Sequence, residues 1–386
     1  MPSNYQARDP DMEESGRHEL ISLNRSIIEQ VTDIVTKNEP ASDLWPQLRK
    51  VNAEYKKKRS NIVELQKPKP EPVSPQAIAE PELQDGFKHR ILEEDVCIVW
   101  PLSPQLQISL QMPVNAKKIT IQGDQASMLR LTLSNLLIQG NVLYQYAQRA
   151  VVCISSDTVV KINKSHDTTE VRILDHIHKH SQGLPVPTPL GMITIGKWSY
   201  TFTSFIPGIS LDRVWGNLSL DKKCHVREQL NCHFAELRRL PIPSKEYLGG
   251  GLTPTCKGGH RFKKENSMPI SNDAQFNDFL LDDSWLERAH LDYLRGCLPS
   301  NHQIVMTHGD LCPLNVLVES EDVPTITGII DWETGGAYPE YWEYINAFRS
   351  SFLGQGDWCL YLPEPSIGKF FDEYARYRVI ELFARV

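Results

Sequence analysis

Five prolines fall between Gln66 and Glu82, in Lys67-Pro-Lys-Pro-Glu-Pro-Val-Ser-Pro-Gln-Ala-Ile-Ala-Glu-Pro81, and they divide the chain before any other feature is weighed. Each proline fixes φ and removes a backbone donor, so neither a helix nor a central strand can run through the segment. Residues 67–82 therefore read as a semi-rigid linker. Whatever lies upstream must fold, or dock, separately from what lies downstream.

Upstream, Leu20, Leu23, Ile27, Ile28, Val31, Ile34 and Val35 recur at helical spacing, and Leu44, Leu48, Val51 and Tyr55 repeat the pattern beyond Asn38-Glu39-Pro40. Residues 1–66 read as a partly disordered extension with a helical hairpin too short to bury a core alone. Residues 83–135 receive no assignment, except that Leu106, Ile108, Leu110 and Met112 alternate with polar residues as a half-buried strand does.

From residue 136 the pattern sharpens. Ala150–Ile154 and Thr158–Ile162 predict a hairpin of β-branched residues around Ser155-Ser156-Asp157. A capped helix from Asp167 to Ile177 and a strand from Trp198 to Phe205 complete a small sheet with one helix over residues 136–206. Residues 207–386 are mainly helical, with helices expected at Leu220–Leu240, Ala274–Leu281, Leu286–Leu298 and Lys369–Ala384, and short apolar runs at Ile304–Met306, Val316–Val318 and Ile326–Ile330.

Charge narrows the partners. The 386 residues carry a net charge of −7, and the basic residues are scattered apart from Lys56–Arg59, which reads as a solvated helix end or a basic patch. No broad face for nucleic acid is indicated, and a cationic or neutral small substrate suits the balance better. The eight cysteines show no Cys-x-x-Cys, which argues against a zinc site or disulfide framework. With no apolar leader and no run of about 18 apolar residues, the expectation is a soluble, cytoplasmic chain without a membrane segment.

The chemistry concentrates in Thr307-His-Gly-Asp-Leu-Cys-Pro-Leu-Asn315, between two of the apolar runs. Its His-x-Asp followed by four residues and Asn has the spacing of a kinase catalytic loop. A carboxylate at Asp310 can accept the proton of an attacking hydroxyl, and a neutral amide at Asn315 can ligate magnesium. Sixteen residues on, Ile329-Ile330-Asp331 would set a second magnesium ligand at the rim of a hairpin facing Asn315. Lys161, inside the predicted strand Val159-Val-Lys-Ile162, can reach from the sheet toward phosphates, with Glu170 in the following helix as its partner.

In order along the chain, Val159-Val-Lys161, Glu170, Leu184-Pro-Val-Pro187, Ser204-Phe-Ile-Pro-Gly208, His308-Gly-Asp310 to Asn315, Ile330-Asp-Trp-Glu333 and Pro339-Glu-Tyr-Trp-Glu343 resemble the aminoglycoside phosphotransferase and choline kinase family, in its fungal branch. The resemblance covers roughly residues 136–386. It implies an α+β, two-lobed protein-kinase-like fold, with a small antiparallel-sheet N-lobe over 136–206 and a mainly helical C-lobe over 207–386. It further implies ATP and Mg2+ as cofactors, Asp310 as catalytic base, His308 as a structural brace of the loop, Asn315 and Asp331 as metal ligands, Lys161 and Glu170 at the phosphates, and a hinge at Ser204 and Ile206 that binds adenine through the backbone. The implied reaction is phosphorylation of a hydroxyl on a small molecule.

The sequence departs from the kinase pattern at one place that matters. No G-x-G-x-x-G precedes Lys161, where the turn Ile154-Ser-Ser-Asp157 would have to cover the phosphates. A catalytically silent kinase-like module that binds a nucleotide or a partner is the alternative. A protein kinase is disfavoured because no long activation segment follows Asp331. Glu333, Glu340 and Glu343 either attract a substrate amine or cap the helix that starts near Pro339. The Gly249–Gly251 and Gly258-Gly259 stretch reads as a mobile loop on the substrate side.

Overall fold

Alternating β-branched residues give this chain its sheet. The computed structural model describes residues 95–383 except 113–119, 147, 252–254, 259–265, 267, 283–285 and 351–355, together with scattered residues between 19 and 58. The chain separates into two units, Met1–Pro81 and Glu82–Val386. In the first, the scattered described residues are helical and Leu23 and Val51 are buried. The rest of the expected hairpin, and the linker, lie outside the described residues.

In the second unit the order is β1 (Val96–Trp100), α1 (Pro104–Ser109), β2 (Thr120–Ile121), α2 (Gly123–Gln139), β3 (Asn141–Tyr146), β4 (Arg149–Cys153), β5 (Thr158–Asn163), α3 (Thr169–His180), β6 (Pro189–Ile195) and β7 (Trp198–Ser204). The strands form one antiparallel seven-stranded sheet in the order β2-β1-β6-β7-β5-β4-β3. The sheet thus reaches back to Val96, into the stretch to which the sequence alone assigns nothing.

Leu106 to Met112 does not form the expected strand. Ser103 caps a helix by accepting a hydrogen bond from the Leu106 N–H, and Pro104 occupies its first turn. Leu106 and Leu110, four residues apart, are buried while Ile108 between them is exposed. Alternation over so short a run fits either period, and the cap decides it.

Along α2, Ala126, Leu129, Leu133 and Leu137 repeat at helical spacing and join Val152, Val160, Ile162, Tyr200 and Phe202 of the sheet in one buried cluster. Each such leucine contributes about 1.5–3 kcal/mol by leaving water.

The rest of the unit comprises β8 (Ile209–Ser210), α4 (Leu211–Val214), α5 (Leu220–Arg239), α6 (Asp273–Leu281), α7 (Arg288–Cys297), β9 (Ile304–Thr307), β10 (Val316–Val318), β11 (Ile326–Ile329), β12 (Gly336–Pro339), α8 (Tyr341–Ser350), α9 (Glu364–Ile367) and α10 (Phe371–Phe383). Ser219 caps α5 by accepting from the Lys222 N–H, and the helix stops before Pro241, as the sequence predicts.

Helix α3 lies between β5 and β6 in sequence, but Ile173, Leu174 and Ile177 pack into the core of the helical part, with Val226, Leu230 and Phe234 of α5 and with Trp332. That placement fixes Glu170 relative to the segment after β11. Among the described residues no helix is long and apolar enough to cross a membrane.

Candidate active site

Two strand pairings build the floor of the site. β10 pairs antiparallel with β11, Val316 opposite Ile329, and β9 pairs with β12, Thr307 opposite Gly336. Asn315, just before β10, and Asp331, just after β11, are thereby neighbours, and the Ile330 N–H donates to the Asn315 carbonyl at 2.9 Å. The Asn315 amide donates through Nδ2 to the Asp310 carbonyl at 2.9 Å and to its Oδ2 at 3.0 Å.

His308 is wholly buried and braces this loop. Its Nδ1 accepts from the Asp310 N–H at 3.2 Å and its Nε2 lies 2.9 Å from the Ile330 carbonyl, which assigns the proton to Nε2. The ring also meets the Trp332 ring edge-on, with centroids 4.6 Å apart. Gly309 sits at φ +80, and a Cβ there would lie 2.7 Å from the Thr334 carbonyl, so only glycine lets the loop lie this close.

Lys161 of β5 reaches Glu170, its expected partner, and also Asp331, expected from the sequence only as a metal ligand. Its Nζ donates to Glu170 Oε1 at 2.5 Å and to Asp331 Oδ1 at 2.9 Å. Burial opposes charge on this ammonium, but Asp331 and Glu170 overcome it and raise its pKa above the ordinary lysine value. Burial also raises the Glu170 carboxyl against the pull of Lys161. At Asp331 burial is outweighed by Lys161, with Arg149 adding to it, and the carboxyl is held below the usual aspartate range. Asp331 itself sits in the left-handed region, at φ 67 and ψ 61, a conformation that carries strain in a non-glycine residue and that the buried loop around it maintains.

Ser204 ends β7, and the chain then crosses through Phe205 and Ile206 to the helical part. The Phe205 N–H donates to the Asp157 carbonyl at 2.8 Å, while the Ile206 N–H has no acceptor among the described residues. The turn Ile154–Asp157 is therefore at the Ser204 end of the sheet, with Thr158 opposite Ser204. It does not cover Lys161, contrary to the expectation from sequence order. The connection at the other end of these strands is Tyr146 to Arg149, between β3 and β4.

Arg149, at the end of that connection, was not foreseen. Its Nη1 lies 3.0 Å from Glu333 Oε1, two residues beyond Asp331. Nor was Lys257, whose Nζ donates to Asp167 Oδ2 and to the Glu333 carbonyl, tying the start of α3 to the segment after Asp331. Only the spatial pairing reveals either residue, because each partner is distant in sequence.

Glu343 has a different place from those considered for it. It is fully buried in α8 and accepts from the His308 N–H at 2.6 Å and the Gly309 N–H at 3.2 Å, so it anchors the loop and is not available to an acceptor's amine. The described part of the glycine-rich stretch is likewise held in place: Gly249 bridges to Ala337 of β12.

The donor set suits a magnesium–nucleotide better than a protein-only metal site. Among the described residues no group of three or more His, Cys, Asp or Glu could hold a metal. Asn315 keeps Oδ1 and Asp331 keeps Oδ2 beyond the hydrogen bonds described. One amide and one carboxylate oxygen are what a hard cation takes when phosphates and waters supply its other ligands.

Among solved structures, the aminoglycoside phosphotransferase APH(4)-Ia is similar at 16% identity over 64% of this chain and 85% of that one, with a TM-score of 0.45. The GDP complex of aminoglycoside 2'-phosphotransferase-IIIa is similar at 16% identity over 63% and 83%, with a TM-score of 0.42. Aminoglycoside phosphotransferase APH(3'')-Id from Streptomyces rimosus is similar at 16% identity over 67% and 98%, again at 0.42. No curated protein is significantly similar to the chain. The family comparison is decisive: residues 147–379, well over half of the chain and all of the site, match the phosphotransferase enzyme family, and the chain belongs to it.

Proposed function

We propose that the chain is an ATP- and magnesium-dependent phosphotransferase that transfers the terminal phosphoryl group to a hydroxyl of a small molecule. The observation that carries this reading is Lys161 bridging Glu170 and Asp331 beside the Asp310–Asn315 pair. In this reading the sheet with α1 and α2 is one lobe, the helical part is the other, and the adenine binds between them against the Ser204 carbonyl and the Ile206 N–H. Bound magnesium would supply charge neutralisation on the phosphates, held by Asn315 and Asp331.

The chain's own residues do the rest. Lys161, positioned by Glu170, draws the phosphates to the end of the sheet. Asp310 accepts the acceptor's hydroxyl proton on a carboxylate oxygen as the new P–O bond forms and the bond from the terminal phosphorus to the bridging oxygen breaks, releasing ADP. The Asn315 Nδ2–H bond to Oδ2 aims that carboxylate, and His308 with Glu343 keeps the loop rigid, so catalysis rests on positioning and electrostatics. From Asp331 to α8 there is room only for a single turn and β12, which leaves little platform for a polypeptide acceptor.

The test is incubation with γ-labelled ATP, magnesium, and pools of hydroxylated amines, sugars and mixed proteins. Label on a small molecule is the expected result; label confined to protein contradicts the acceptor class, and no transfer to any pool favours a nucleotide-binding module without turnover.

A further inference from the structure

Between β3 and β4 the sequence Tyr146-Ala-Gln-Arg149 contains no glycine, and Arg149 at its end lies against Glu333, two residues beyond Asp331. A glycine-rich turn works by letting backbone N–H groups approach the phosphates closely. Side chains at every position make that approach harder, so another donor has to meet the phosphate charge.

Among the described residues the cations near the site are few. Lys161 is already shared between Glu170 and Asp331. Lys257 is engaged with Asp167 and with the Glu333 carbonyl. Arg149 stands at the mouth: its side chain is 39% exposed, its partner Glu333 is 31% exposed, and its charge is felt by Asp331. A half-exposed ion pair of this kind is worth only about 0–1 kcal/mol, so a polyphosphate can displace the carboxylate. A guanidinium also binds phosphate through two parallel N–H bonds, which a backbone cradle lacking glycine cannot replace.

We propose that Arg149 is the phosphate ligand of this glycine-free turn, exchanging the Glu333 carboxylate for a β- or γ-phosphate when nucleotide enters. The inference rests on the phosphotransferase reading above and adds to it the residue that stands in for a glycine-rich loop, with Glu333 as its resting counter-ion.

Calorimetric titration of the full chain with ATP and with AMP, each with magnesium, tests it in wild type, Arg149→Gln, Arg149→Lys and Glu333→Gln. The expected result is that R149Q binds ATP about tenfold or more weakly while AMP affinity is unchanged, and that R149K recovers part of the loss. E333Q binds ATP more tightly than wild type, because the arginine no longer leaves a carboxylate. This variant reads the same contact from the other side, so the inference stays testable even if R149Q does not fold. Equal ATP affinity in wild type and R149Q, or an unchanged or weaker affinity in E333Q, overturns the inference alone. A wild-type chain that binds no ATP overturns the nucleotide reading as well, and the two failures are thereby told apart.

Discussion

Glu343 is a buried carboxylate whose hydrogen-bond donors are the backbone N–H groups of His308 and Gly309. Such bonds to a charged acceptor are worth more than neutral ones, and a lost partner leaves a buried N–H unsatisfied. Glu343→Gln retains one acceptor but turns an NH2 group toward the loop. It should lower unfolding stability by about 1–3 kcal/mol in urea titration, and an unchanged midpoint would show that the carboxylate does not anchor the loop. At this scale, legibility depended on spacing. Asp310, Asn315 and Asp331 could be read because their types and intervals are tied to one reaction, and Lys161 because it interrupts an apolar strand. Arg149 and Lys257 have no such interval: their partners Glu333 and Asp167 lie across the fold. Glu343 was seen in the sequence, but its burial was not, since a glutamate beside a helix start reads equally well as a surface cap.

Among elements, α3 matters most, because it carries Glu170 and packs its apolar face on the helical part. Its start is pinned by Lys257 to Asp167, whose carboxyl is pushed up by burial but pulled further down by Lys257, to a net value below the ordinary range. A depressed carboxyl stabilises the fold above the unfolded aspartate pKa of about 3.9, and that stability disappears as pH falls through the lower folded value. Wild type should therefore lose more unfolding free energy between about pH 5 and about pH 3 than Asp167→Asn does, and parallel pH profiles would refute the tie.

The pairing of β12 with the glycine-rich stretch makes a second prediction. Gly336 lies against Gly249 so closely that an added Cβ would be 2.5 Å from the Gly249 carbonyl carbon. Gly336→Ala should cost about 1–3 kcal/mol or more in thermal or urea unfolding, and a wild-type midpoint would mean that the two segments do not pack backbone to backbone. Gly249 and Gly250 serve close approach, which composition cannot distinguish from a need for freedom; Gly259 lies outside the described residues.

For the whole molecule, β4, β5, β7, α3 and α5 were legible because each runs long enough for its period to show, whereas β6, β8, α4 and α9 were not foreseen. In the stretch before β4, β2 has two residues and α1 six, too short for any period to show, while the helical spacing of Leu129, Leu133 and Leu137 in α2 was there to be read and was missed. The family match begins at residue 147, yet β1, α1, β2 and α2 extend the same sheet and its core back to Val96. Cutting the chain before Ala150 should therefore expose the apolar cluster under α2 and yield an insoluble or unfolded product, whereas a soluble, cooperatively folded 150–386 fragment would show that the added strands are dispensable.

In the proposed reaction Asp310 serves the transfer step while Lys161, Asn315 and Asp331 hold the nucleotide. Single-turnover transfer from ATP by wild type and Asp310→Asn, with ATP affinity measured on the same samples, tests it most directly. The prediction is unchanged ATP binding with transfer slowed by about 100-fold or more in the variant. Transfer at the wild-type rate by Asp310→Asn would contradict it.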